Sequence, residues 1–162
     1  MDHLSIQLLP QNIRLRLEAS RANLQLEWLD LRLFTEAMTT KGYLSENKTH
    51  PFRHQQWLEY LGDGILRAVV RAHILQHMPT IEVEKIGALC ESLMTNVRLA
   101  EIGAQTKLEL GLLVPTRNKL AKLPLADTYE ALVGACHTGS GYEAARAFVY
   151  RTYLTPFYGI EP

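Results

Sequence analysis

Scarcity narrows the reading of this chain first. Its two cysteines, Cys90 and Cys136, form no CxxC pair and are too few for a disulfide framework. Buried, reduced thiols in an intracellular protein are therefore expected. Neither charge is in excess, since Lys+Arg and Asp+Glu each number 17. A nucleic-acid binder usually carries a basic surplus, but an acidic metal site can hide a basic rim in the total, so charge decides nothing. No apolar run approaches the roughly 20 residues that span a bilayer. The opening Met1-Asp2-His3-Leu4 lacks the basic-then-apolar layout of a signal peptide. A cytoplasmic protein without membrane association is expected, an organelle being left open. Strand signals, repeats, low-complexity tracts and linkers are also wanting. What is present, 47% hydrophobic and 21% charged residues over 162 positions, suits one globular domain with a substantial core.

Apolar residues recur at helical spacing, which predicts an all-α fold. Helices are expected at about 11–24, 29–39, 54–77, 81–94 and 97–110, then at 126–136 and 142–153 with a turn at 137–141. The stretch 40–51, with Gly42, Asn47 and Pro51, reads as a loop. So does 112–125, an irregular basic segment holding Pro115, Arg117, Lys119, Lys122 and Pro124.

Two acidic pairs stand out inside this pattern. Glu59 and Asp63 are four residues apart, and Asp127 and Glu130 three apart, so each pair shares one side of a helix. Solvated surface acids are the ordinary alternative, but the neighbours oppose it. Trp57, Leu58, Leu61, Ile65, Ala68, Val69 and Ala72 form one apolar face, and Leu66, Val70 and Ile74 continue the acidic side. A helix apolar almost all round should be buried, and acids on it need a partner, a metal or a proton. Near Asp127 and Glu130, Ala131 and Gly134 add so little bulk that another backbone can approach. Arg67 is the one base at i±3 or i±4 of any of the four acids. Four carboxylates on facing helices suit Mg²⁺ or Mn²⁺ and phosphodiester chemistry. Spacing alone leaves structural ion pairs equally open.

Longer motifs narrow the choice. Trp57-Leu58-Glu59-Tyr60-Leu61-Gly62-Asp63-Gly64-Ile65-Leu66 resembles the signature helix of the ribonuclease III family, N-E-R-L-E-F-L-G-D-S-V-L. Leu125-Ala126-Asp127-Thr128-Tyr129-Glu130-Ala131-Leu132-Val133-Gly134-Ala135 resembles its second motif, L-A-D-x-x-E-A-L-I-G-A. Ala37-Met38-Thr39-Thr40-Lys41 takes the place of A-L-T-H-R, and Leu99-Ala100-Glu101-Ile102 that of L-A-E-I. The segment 142–149 fits the final helix, and the likeness covers about 28–156.

The resemblance implies an all-α endonuclease domain, a symmetric dimer, that cuts double-stranded or structured RNA to 5′-phosphate and 3′-hydroxyl ends. It implies Glu59, Asp63, Asp127 and Glu130 as ligands of Mg²⁺ or Mn²⁺. Asp63 and Glu130 would be the catalytic pair, with Glu130 most directly tied to the metal. Lys41, Arg117, Lys119 and Lys122 are candidate RNA contacts, an ordinary solvated loop being the alternative for the last three. The expected partition is a helical lead-in over 1–27, the endonuclease domain over 28–158 and a tail over 159–162. No double-stranded-RNA-binding domain is expected, so a recruiting protein or ribonucleoprotein is a candidate partner.

Departures from the pattern mark where function could shift. Gln55-Gln56 stands where the family has Asn-Glu, a glutamate linked to the dimer interface and cleavage geometry. Thr40 replaces the His of A-L-T-H-R and Lys41 its Arg. His73/His77 and His50/His54 have an i,i+4 spacing seen in zinc sites, but no further ligands stand near them in sequence. Trp28, Leu31, Leu33, Phe34, Tyr60 and Tyr129 are assigned to packing. Two rival readings are weighed. One is a non-catalytic ribonuclease III-like subunit of a ribosomal or RNA-processing complex, which would generally lose one or more of the acids. The other is an all-α nucleoside-triphosphate pyrophosphatase, which also sets paired acids on helices around Mg²⁺ and which the match across both motifs opposes.

Overall fold

The computed structural model describes residues 6–116 and 123–159, and within them the chain is helical. Helix α1 runs Gln11–Asn23, starting after Pro10, whose missing N–H costs nothing at a helix start. It ends where Gln25 turns left-handed at φ 53° and the Leu26 N–H returns to the Arg21 carbonyl at 2.9 Å. Helix α2, Leu31–Ala37, is capped by Asp30, whose carboxylate accepts the N–H groups of Arg32 and Leu33 at 2.8 and 3.3 Å. Thr40 caps α3, Lys41–Glu46, by accepting the Tyr43 N–H at 3.2 Å. The long α4, Gln56–His77, stops two residues short of Pro79. Helices α5, Val83–Leu93, and α6, Asn96–Gln105, follow, the second capped by Thr95. A 3₁₀ turn at Leu108–Leu110 leads to α7, Leu125–Val149. A π-helical turn, Tyr150–Leu154, and the short α8, Thr155–Tyr158, finish the described chain. Extended backbone pairs between Thr39 and Leu113, with the Leu113 N–H on the Met38 carbonyl at 2.7 Å and the Thr40 N–H on the Leu113 carbonyl at 3.1 Å.

Helices α4 and α7 cross at the centre, α6 and α2 pack on α7, and α5 packs on α4. Leu58, Leu66, Tyr129, Phe148, Tyr153 and Phe34 are fully buried between these layers. Leu17, Leu24 and Leu26 from the lead-in join the same core. Both cysteines are free and buried. No helix among the described residues is long and apolar enough to cross a membrane.

The crossing is set by two glycines. A Cβ on Gly62 would stand 1.8 Å from the Glu130 carbonyl oxygen, and one on Gly134 would stand 2.1 Å from that of Leu58. The backbones therefore touch, which only glycine at both points permits. Gly64, two residues on, faces open space.

Several sequence expectations are corrected. The 40–51 segment contains α3, because Thr40 supplies a cap. The helix expected through 110 ends at Gln105, since Lys107 adopts φ 58°. The turn expected at 137–141 shrinks to a kink at Gly141, φ 82°, because the Thr138 hydroxyl bonds back to the Gly134 carbonyl at 2.8 Å and the helix continues. Helix α4 is not buried all round. The core takes Leu58 and Val69 from the expected apolar face together with Leu66, Val70 and Ile74 from the acid-bearing side, while Trp57, Ala68 and Ala72 are exposed. Tyr60 and Trp28 are also exposed, not packed.

Gly134→Ala is therefore expected to lose about 3 kcal/mol or more of stability through overpacking. Gly64→Ala should instead gain about 0.5–1 kcal/mol as an unhindered helical replacement. Urea unfolding of the two variants checks both signs.

Candidate active site

The glycine contact decides where the acids stand. Glu59 lies one turn before Gly62 and Asp63 directly after it, while Glu130 lies four residues before Gly134. All four acids, Asp127 among them, are half-buried, so they open from the crossing toward solvent instead of sinking into the core. The opposite flank is tied down. The Tyr129 and Thr152 hydroxyls bond at 2.9 Å, and the Thr128 hydroxyl, 3.3 Å from Gln55 Oε1, links α7 to the foot of α4. The Gln55 N–H donates to the Thr39 carbonyl at 2.9 Å, joining the third motif to the same corner.

Electrostatics shows the acids acting on one another. Burial, then the charges of Asp63, Glu59 and Asp127, pushes the Glu130 carboxyl up to about 7, against the pull of Arg67. Burial and Asp127 also raise Glu59. Among the described residues, no three such side chains are already drawn to a common ligand point. Asp63 instead accepts from Arg67 Nε on both oxygens, at 2.9 and 3.1 Å. The donor set nevertheless fits a hard divalent cation: four oxygen ligands whose mutual repulsion one added positive ion would relieve. Glu59, Asp63, Asp127 and Glu130 are the residues that would hold it.

The remaining candidates divide. Lys41 is exposed at the start of α3. Arg117, Lys119 and Lys122 lie outside the described residues. His73 bonds the Tyr150 hydroxyl at 2.9 Å and stacks on His77 at 4.1 Å between ring centroids, and the His50 ring packs edge-on against Tyr43 and Phe52.

Sequence reasoning missed two residues. Glu91, on α5, also binds Arg67, and nothing local to it signals a partner 24 positions away. Glu36, only 5% exposed, accepts the Trp57 indole N–H and the Arg53 backbone N–H, and burial raises its carboxyl while Arg32 and Arg53 oppose the rise. The clue to Glu36 was an acid set among Leu33, Phe34, Ala37 and Met38.

An all-α domain built on two crossing acidic helices is thus defined, and comparison with known proteins gives its kinship. A family model described as Ribonuclease-III-like matches residues 30–157. The chain is 37% identical over 132 residues to Ribonuclease 3 of Symbiobacterium thermophilum, covering 77% of this chain and 54% of that protein. It is 31% identical over 137 residues to Ribonuclease 3 of Desulforamulus reducens, covering 80% and 54%. It thus spans about half the length of these curated relatives. Among solved structures, the nuclease domain of ribonuclease III from Campylobacter jejuni matches with a TM-score of 0.75 at 26% identity, over 94% of this chain and 100% of that one. A second structure of that domain, described as flexible in a region involved in dimer formation, matches with a TM-score of 0.74. The chain belongs to the ribonuclease-III-like family.

The raised Glu130 carboxyl has a measurable consequence in metal-free protein. Its folded pKa of about 7 exceeds the ordinary 4.5, so folding favours the protonated form. Stability is full below about pH 4.5 and is lost as pH rises through 7, by on the order of 1–2 kcal/mol after solvent screening. Melting in chelator at pH 5 and pH 8 should show the decline, and Glu130→Gln should flatten it.

Proposed function

We propose that this chain is the catalytic domain of a divalent-metal-dependent endoribonuclease of the ribonuclease III type. It cuts double-stranded or structured RNA, leaving 5′-phosphate and 3′-hydroxyl ends, with Mg²⁺ as the working ion and Mn²⁺ able to replace it. The observation that carries the reading is the half-buried cluster of Glu59, Asp63, Asp127 and Glu130 at the α4–α7 crossing, where burial and then the charges of the other three raise Glu130 to about 7.

A divalent cation held by these carboxylates would supply the positive charge that activates a water and stabilises the departing 3′ oxygen. The chain's own part is positioning. The glycine contact fixes the spacing of the two acid pairs, and the buried Tyr129–Thr152 and Thr128–Gln55 bonds keep α7 from rotating. Asp63 and Glu130 are assigned the catalytic role, with Glu59 and Asp127 completing the ligand set. Lys41, Arg117, Lys119 and Lys122 are assigned to the phosphate backbone, where each contact adds salt-dependent affinity. An A-form duplex offers shape and 2′-hydroxyls more than base edges, so little sequence preference is expected from this domain alone. The working partition remains 1–27 as lead-in and 28–158 as nuclease domain, and the working compartment is the cytoplasm.

A homodimer completes the proposal. Trp57, Tyr60, Gly64, Ala68, Ala72 and Leu75 recur along α4 as an exposed, mostly apolar stripe, with Tyr60 87% and Leu75 51% exposed. A two-fold axis on this face would give a duplex two sites related as its strands are. A non-catalytic subunit is disfavoured because all four acids are present and reach solvent.

Wild-type protein with Mg²⁺ is expected to cut a uniform RNA duplex, and Glu130→Gln or Asp127→Asn to slow cutting by at least about 100-fold. Cutting that persists in both variants would sink the assignment. Tyr60→Glu with Leu75→Glu should convert a dimer to single chains in sedimentation; an unchanged sedimentation coefficient would place the interface elsewhere.

A further inference from the structure

Arg67 stands where the acidic site meets α5. Its Nε reaches both oxygens of Asp63, at 2.9 and 3.1 Å, and its NH1 binds Glu91 on α5. Arg67 is the most enclosed of the three side chains, at 30% exposure against 40% for Asp63 and 63% for Glu91. Two features set this apart from a surface ion pair. The guanidinium engages both oxygens of a carboxylate that the metal-site reading also needs. It also holds a second anion, on another helix, that the site does not use. The single Nε–H lies across both oxygens of Asp63, on the edge where a cation would chelate the carboxylate, and its positive charge repels an incoming cation, so the two compete.

We propose that Arg67 is a positioning residue: a built-in counter-ion on Asp63 that a divalent cation displaces, with Glu91 retaining the displaced guanidinium. The inference rests on the metal-site reading of the four acids. Arg67 neutralises part of the acidic cluster before metal arrives, and metal entry becomes an exchange of partners instead of a simple capture. Glu91 keeps that exchange local, because the guanidinium loses one anion and keeps the other. The affinity of the site is thereby set below what four free carboxylates would give.

The test is Mn²⁺ binding followed by electron paramagnetic resonance or calorimetry, without RNA, on protein shown by circular dichroism to be folded. Arg67→Gln should bind Mn²⁺ roughly three- to tenfold more tightly than wild type. Arg67→Lys keeps the charge but loses the planar fork, so it should move in the same direction. Glu91→Gln should weaken binding in the wild-type background and change nothing when Arg67 is already Gln. Affinity unchanged or reduced in Arg67→Gln, wild-type affinity in Arg67→Lys, or an equal Glu91→Gln effect in both backgrounds would each overturn the exchange. Mn²⁺ binding that Glu130→Gln abolishes but Arg67 does not affect would overturn this proposal alone. No Mn²⁺ binding by wild type or Arg67→Gln would overturn the metal-site reading with it.

Discussion

Two helix backbones in contact at Gly62 and Gly134 are the constraint on which the rest of this molecule depends. Helices normally pack at 8–10 Å because side chains keep their axes apart. Here the Cβ atoms are missing at both points, and each helix presses on a carbonyl of the other. Acids one turn or less from such a contact are forced into one another's field. That proximity is unfavourable by itself and adds to the burial that raises the carboxyls of Glu130 and Glu59. The buried flank sustains it, with Leu58, Leu66, Val70, Tyr129 and Leu132 packed around the crossing. The core thus holds the two acid-bearing helix segments together against the mutual repulsion of their carboxylates.

Much of this was legible in the sequence, for a physical reason. The two acidic motifs are local, and spacings of four and three residues map directly onto a helix face. Gly134 was read as a point of close approach because small residues flank the acids there. Gly62 was not, although it turned out to be its reciprocal partner, since one glycine among bulky neighbours does not say what it faces. The face of α4 was misjudged for a related reason. Trp57, Ala68 and Ala72 look like core by hydropathy, yet they lie on the side away from α7. Periodicity finds the stripes on a helix but not which of them meets the protein interior. An apolar stripe left outside is informative in its own right, because water-exposed apolar stripes commonly await a partner.

The long-range polar contacts were out of reach. Glu91 lies 24 positions from Arg67, and Glu36 meets the Trp57 indole from another helix. No local pattern names either partner, so only the packing of α5 and α2 around α4 brings them together. These contacts belong to this chain's own version of the domain. Gln55 is a further case: it stands at an Asn position of the family motif, yet it is buried and holds Thr128 across the crossing. At Gln55 the substitution has been absorbed into the architecture of the corner, while Glu59, Asp63, Asp127 and Glu130 are all retained.

In the proposed enzyme, the four carboxylates at the α4–α7 crossing converge on one divalent cation. The most direct measurement is an anomalous-scattering map from crystals of this chain grown with Mn²⁺. The predicted result is a peak at the crossing, touched by Glu130 and by Asp63, with Asp63 no longer bound by Arg67. A map with no peak there, and Asp63 still on Arg67 at saturating Mn²⁺, would contradict it.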